Sequence, residues 1–230
     1  MTLTPQAKWL LFGLGVAAIA GYLYYRKRAG GLGRTRYVPG RVPQAPAIDG
    51  YSDGNMKTTT RASSDMPIEE RLASIQDLVH KSVQDPEMRK LALQITSGCA
   101  ERDGDCEARA VYDFVKSNVR YTGDIAPIAF PNGDVEGIDL YQSARRTVEF
   151  GGGDCDDQSI LIATLLALNG ITPRLRVMKE NKDDDWSHIF PLAGLPKTEP
   201  TEWTALDTTL PGNNKYGVEV PYAEALDFPA

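Results

Sequence analysis

At 230 residues the chain is long enough for one well-filled core with appendages, and its 42% hydrophobic and 24% charged content is ordinary for a globular protein and names no function. The net charge of −6 is unevenly spread: residues 1–50 hold seven Lys or Arg against Asp49, net +6, which leaves −12 on residues 51–230. An acidic domain repels phosphate backbones, so DNA or RNA binding by the folded part is excluded.

The first element is Trp9 to Tyr25, 17 residues without a charge. That is the short end of a membrane span, with Trp9, Tyr22, Tyr24 and Tyr25 placed as interfacial anchors. A signal peptide is the alternative, since Ala18-Ile19-Ala20 resembles a cleavage site. However, signal peptides carry their charge in front, whereas here Arg26-Lys27-Arg28 follows and Lys8 alone precedes. The expectation is a single-pass anchor over residues 1–28 whose partner is the lipid bilayer through residues 9–25, with the folded domain on the cytoplasmic side or inside a virion. Residues 29–66 are rich in Gly, Pro, Arg, Ser and Thr and read as a flexible tether to a domain over residues 67–230.

Three helices open that domain. Pro67 and the acids Glu69 and Glu70 start the first, with Ile68, Leu72, Ile75, Leu78 and Val79 at helical spacing and His80 near its end, a surface position. Asp85-Pro86-Glu87 starts the second, whose apolar residues are Leu91, Leu93 and Ile95. The third runs from Asp105 to Val119. Cys99 and Cys106 bracket the turn between the last two; a disulfide there requires an oxidising compartment, and free thiols suit a cytoplasmic domain.

Gly151-Gly152-Gly153-Asp154-Cys155-Asp156-Asp157 then forms a glycine turn into a helix, with Asp154 as N-cap and an apolar run from Ile160 to Leu168 that stops at Asn169-Gly170. Cys155 falls in the first helical turn, where free N–H groups and the helix dipole favour a thiolate; the flanking acids oppose one, and a small buried hydrophobe is the alternative reading. Downstream, a strand at Arg174–Met178 precedes His188, and a strand at Glu202–Leu206 ends in Asp207. His188 is placed to deprotonate Cys155, and Asp207 to hold the imidazole's tautomer.

In order and spacing, Gly-Asp-Cys155-Asp-Asp, the apolar helix, Trp186-Ser187-His188 and Trp203-Thr204-Ala205-Leu206-Asp207 resemble the transglutaminase-like superfamily, nearest to its short microbial and phage-type domains, over residues 111–211. Val115 to Tyr121 and Leu140 to Ser143 resemble the segments that precede its cysteine motif. The resemblance implies an α+β, papain-like fold: a cysteine helix packed on an antiparallel sheet that carries His188 and Asp207, here with N-terminal helices and a preceding transmembrane helix. It also implies a Cys155–His188–Asp207 triad and an upstream side-chain oxyanion donor, for which Gln142 is the nearest candidate, with a turn glutamine as the commoner reading of that residue; Trp186 and Trp203 read as cleft-lining or core residues. Ile189-Phe190-Pro191-Leu192 departs from the family's usual aromatic residue and acid after the histidine, and Pro191 is expected to shorten that strand. The expected activity is a cysteine hydrolase or acyltransferase acting on a protein or peptide amide, without cofactor; because family members include catalytically dead domains, the alternative is a structural or assembly module of a phage particle or bacterial envelope. The acids around Cys155 and at Asp183 to Asp185 lack metal-ligand spacing, so no metal is expected.

Overall fold

The computed structural model describes residues 59–63, 66–123, 128–129, 135–136, 138–210 and 215–230. The expected membrane span at 9–25 lies outside these residues; among the described residues, no helix is long and apolar enough to cross a membrane.

Helices α1 (Ile68–Val83), α2 (Pro86–Thr96) and α3 (Gly104–Asn118) follow the apolar spacing of the sequence. In α1, Leu72, Ile75, Leu78 and Val79 are buried and His80 is exposed. The Asp85 side chain caps α2 through the Glu87 N–H, 2.8 Å away. Leu93, expected on the apolar face of α2, is 63% exposed, because the buried stripe runs through Met88, Leu91, Ala92 and Ile95. Cys99 and Cys106 are joined in a disulfide across the α2–α3 turn.

Two elements carried too weak a periodic signal to be expected. Strand β1 (Thr59–Ser63) falls in the segment read as tether, yet it pairs antiparallel with a later strand, Ile138–Gln142. Its sequence, TTRAS, has no apolar alternation, so the pairing rests on main-chain bonds and threonine's liking for extended backbone. Helix α4 (Ala144–Phe150) has seven residues, capped by Ser143 at its start and by Gly151 in the left-handed region at its end. Between α3 and α4 lie the short strands β2 (Arg120–Tyr121), β3 (Ile128–Ala129) and β4 (Val135–Glu136), then β5 (Ile138–Gln142).

The glycine turn continues as β6 (Gly152–Gly153), which runs parallel to β2. A Cβ on Gly153 would lie 2.5 Å from the Asp157 Cβ, so this close approach requires glycine. Helix α5 (Cys155–Leu168) follows and is buried without interruption from Asp156 to Leu166. Helices α1 to α4 pack on one side of it, and strands β7 (Pro173–Lys179) and β8 (His188–Leu195) cover the other. With β9 (Glu202–Ala205) and β10 (Glu224–Pro229) they form an antiparallel sheet of order β10–β7–β8–β9. The result is the expected α+β core, a buried helix laid on an antiparallel sheet.

Pro191 does not shorten β8, which runs through it to Leu195. The β8–β9 register begins one residue later, at Leu192 and Ala205, and the Pro191 carbonyl accepts from the Leu206 N–H just beyond β9. The missing N–H of Pro191 therefore faces the end of that ladder, where no strand bond depends on it.

Candidate active site

Cys155 is the first residue of α5, and it is a half-buried free thiol. Asp154 occupies the N-cap position but its side chain, among the described residues, caps nothing; its carbonyl accepts from the Gln158 N–H. The Ser159 hydroxyl lies 2.6 Å from the Cys155 carbonyl and 3.2 Å from the Ile189 carbonyl, which fixes the start of α5 against β8 one residue beyond His188.

His188 opens β8, and its Nε2 lies 2.7 Å from Asp207 Oδ2. Asp207 is 3% exposed, and its Oδ1 accepts from the Thr209 N–H and hydroxyl, at 3.0 and 2.8 Å. The His188 ring also faces the cleft that Cys155 lines, and the thiol acts on its titration. Since Nε2 is spent on Asp207, Nδ1 is the ring nitrogen left for chemistry. Burial alone would push the imidazole down, but the bond to Asp207, the influence of Cys155 and the charge of both outweigh it and raise its pKa to about 10. Burial would conversely push Asp207 up; His188, and then Thr209, hold it below the usual carboxylate value. The structure thus brings Cys155, His188 and Asp207 together, from a helix start, a strand start and the end of the neighbouring strand.

The acids beside the thiol are not equivalent. Asp156 is pushed well above the usual carboxylate range by burial, then by its hydrogen bond and charge contact with Asp154, with Cys155 and Asp157 adding repulsion. Asp157 faces another way and accepts from the Gln142 backbone N–H at 2.6 Å.

That contact settles the position of Gln142. Its side-chain amide donates to Asp157 and, at 3.4 Å, to the Gly152 carbonyl, and it does not line the cleft. A buried carboxylate at the first turn of α5 thus claims the amide that the sequence offered as an oxyanion donor. Gln158, one turn from Cys155, is likewise buried rather than solvent-facing, bonding the Gly153 carbonyl and the Thr208 hydroxyl. Trp186 lines the cleft, whereas Trp203 does not: Arg174 stacks 3.8 Å over its ring, and it packs on the Met178–Phe190–Leu192–Ala205 cluster.

The cleft over Cys155 has a volume of about 250 Å³, below the roughly 300–1,000 Å³ of drug-sized ligand sites; it has room for a substrate side chain, not a large cofactor. Residues the sequence did not single out as lining it are Arg71, Tyr121, Asp139 and Tyr141. Arg71 donates to Asp139 at 2.6 Å and to the Tyr141 hydroxyl at 3.1 Å, and Tyr141 donates to Asp139 at 2.9 Å. They come from α1, β2 and β5, so no local motif announces them.

A family model described as the transglutaminase-like superfamily matches residues 89–208. Among solved structures, the fold is similar to that of a candidate protease from Parabacteroides distasonis, with 14% identity and a TM-score of 0.41 over 59% of this chain and 28% of that one. It is also similar to a crystal structure of a TGase, with 17% identity and a TM-score of 0.35 over 70% and 38% of the two chains. The chain thus spans well under half the length of either protein. No curated protein sequence matches it.

Proposed function

Because the chain belongs to the transglutaminase-like superfamily, we propose that it is a cysteine hydrolase or acyltransferase that opens a peptide or amide bond through a thioester on Cys155. The observation that carries this reading is the imidazole of His188, bonded to Asp207 at 2.7 Å and set in the same cleft as the Cys155 thiol. In the acylation step, Nδ1 of His188 takes the thiol proton as Sγ attacks the substrate carbonyl. The oxyanion is held by backbone N–H groups at the start of α5, which have no acceptor within the helix. Collapse breaks the C–N bond, and His188 gives its proton to the leaving amine. Water, deprotonated by His188, then attacks the thioester; the carboxylic acid leaves and the proton returns to the thiol. An amine in place of water would give acyl transfer by the same steps. Hydrolysis is preferred because none of the described cleft residues marks a site for an amine acceptor.

The anchor at residues 9–25 belongs to the same proposal, as the element that holds the domain and its protein or peptide substrate at a bilayer. Its flanking charge favours the cytoplasmic side. The Cys99–Cys106 disulfide favours an oxidising compartment, and the two are opposed.

The test is a single-turnover reaction of the full chain with an activated acetyl ester. The expected result is a burst of one equivalent of leaving group and an acetyl adduct on the Cys155 peptide. Cys155→Ala should abolish both, and His188→Ala should slow acylation by about 10²–10⁴. A wild-type chain that gives no burst, or acylates as fast without His188, would overturn the reading and leave the docking module.

A further inference from the structure

Cys155, His188 and Asp207 come from three different elements: the start of α5, the start of β8 and the segment just beyond β9. Beyond its first turn, α5 is held by a buried and almost wholly apolar run, Ile160 to Leu166. Apolar burial is non-directional, so it specifies contact more closely than register. A slide of helix on sheet by about 1 Å keeps most of that burial, yet a misplacement of that size can cost about 10²-fold in rate. Hydrogen bonds between the elements weaken steeply with distance and angle, and so they decide the register.

Two consecutive residues of α5, one turn beyond Cys155, make such bonds. Gln158 is buried; its amide donates to the Gly153 carbonyl at 3.0 Å and its oxygen accepts from the Thr208 hydroxyl at 2.6 Å. The Gly153 carbonyl can only accept, which fixes the orientation of the amide. Ser159, also buried, shares its one hydroxyl hydrogen between the Cys155 carbonyl at 2.6 Å and the Ile189 carbonyl at 3.2 Å. Thr208 is the residue after Asp207, and Ile189 is the residue after His188. From the other side, Lys116 of α3 donates to the carbonyls of Thr208 and Leu210, at 2.7 and 3.3 Å. We propose that Gln158 and Ser159 are the positioning residues of this site: Gln158 sets Asp207 through Thr208, and Ser159 sets His188 through Ile189. Neither lines the cleft, so each acts through its neighbour and not on a substrate. The inference rests on the reading of Cys155, His188 and Asp207 as a working triad, and it names what keeps the three in register.

The experiment pairs a rate with a titration that needs no turnover. In single-turnover reaction of the full chain with an activated acetyl ester, Thr208→Val should slow acylation at saturating ester by about tenfold or more and leave the half-saturating concentration unchanged. Thr208→Ser keeps the hydroxyl and should recover most of the rate. The second readout is the ring titration of His188 by NMR in histidine-labelled full chain, where exposed His80 is the internal control. Cys155→Ala should lower the His188 midpoint, because the thiol acts to raise it. Thr208→Val or Ser159→Ala, each made with and without Cys155→Ala, should shrink that shift by about half or more, the mark of a lost coupling. Variants that melt earlier but acylate and titrate as wild type does would overturn the proposal, because the bonds would then serve stability alone. A His188 midpoint that Cys155→Ala leaves unmoved in the wild type would overturn it too, since no register would exist to be kept. A wild type that shows the shift but gives no acylation burst would sink the chemistry proposed for Cys155, and the shrinking of the shift would still decide the positioning. If Thr208→Val does not fold, Ser159→Ala, which removes one oxygen, decides alone.

Discussion

His188 and Asp207 are tied by one short bond, and its pH signature follows from which way each group is pushed. The folded pKa of His188, about 10, stands above its ordinary 6.5. Its contribution to stability is therefore complete below 6.5 and is lost as pH rises through about 10. Asp207 is held below its ordinary 3.8, so its contribution is present above that value and is lost as pH falls. The expected outcome is a stability plateau between 3.8 and 6.5, with a decline on the alkaline side that His188→Gln flattens; thermal midpoints from pH 5 to 10 for both proteins check it. A decline of equal slope in the variant would show that the pair carries no such linkage. At this scale the sequence was legible where chemistry is local. Cys155 could be read from a glycine turn, a helix start and an apolar run. Gln142 could not, because nothing in its neighbourhood shows that the buried Asp157 takes both its backbone N–H and its side-chain amide. Asp139 and Arg71 were invisible for the same reason, since their partners lie far away in sequence.

Among the elements, the glycine turn is the most exacting. Gly153 lets β6 pass directly over Asp157, which in turn holds the end of β5 through Gln142. Gly153→Ala places a methyl 2.5 Å from a Cβ fixed to the helix. The backbone must move, and the expected loss is about 1–3 kcal/mol, measured by denaturant unfolding of the full chain. The same displacement would loosen Cys155, so alkylation of this thiol should become easier. Unchanged stability would mean that the turn is slack. Helices with periodic apolar faces and caps were readable in advance, as α1 and α2 show. Strand β1 was not, because five residues of Thr, Arg, Ala and Ser carry neither a face nor a turn signal. Helix α4 hid for another reason: seven residues are too few to show a period, although Ser143 and Gly151 mark its two ends.

For the whole molecule, two opposed charges set the behaviour expected at a membrane. The basic stretch beside the expected span attracts anionic head groups, and the acidic domain is repelled by them. The full chain should sediment with vesicles of phosphatidylcholine and phosphatidylserine, and high salt should weaken this attachment little, because insertion and not charge supplies most of the energy. Replacing Ala17 and Ile19 by arginine should release it. Salt-sensitive binding that survives the double substitution would mean that the basic residues alone make the contact.

The sheet order β10–β7–β8–β9 has a consequence for synthesis. Helix α5 leaves the ribosome before any strand that will cover it, and β10, the last of the sheet to appear, docks on β7, the first. A nascent chain thus carries its thiol early, on a bare apolar helix, and receives histidine and aspartate only when β8 and β9 emerge. Until then the helix is a target for chaperones and the thiol has no base. Timing is thereby written into the order of the parts: the thiol gains the groups placed to act on it only as the chain leaves the machinery that makes it.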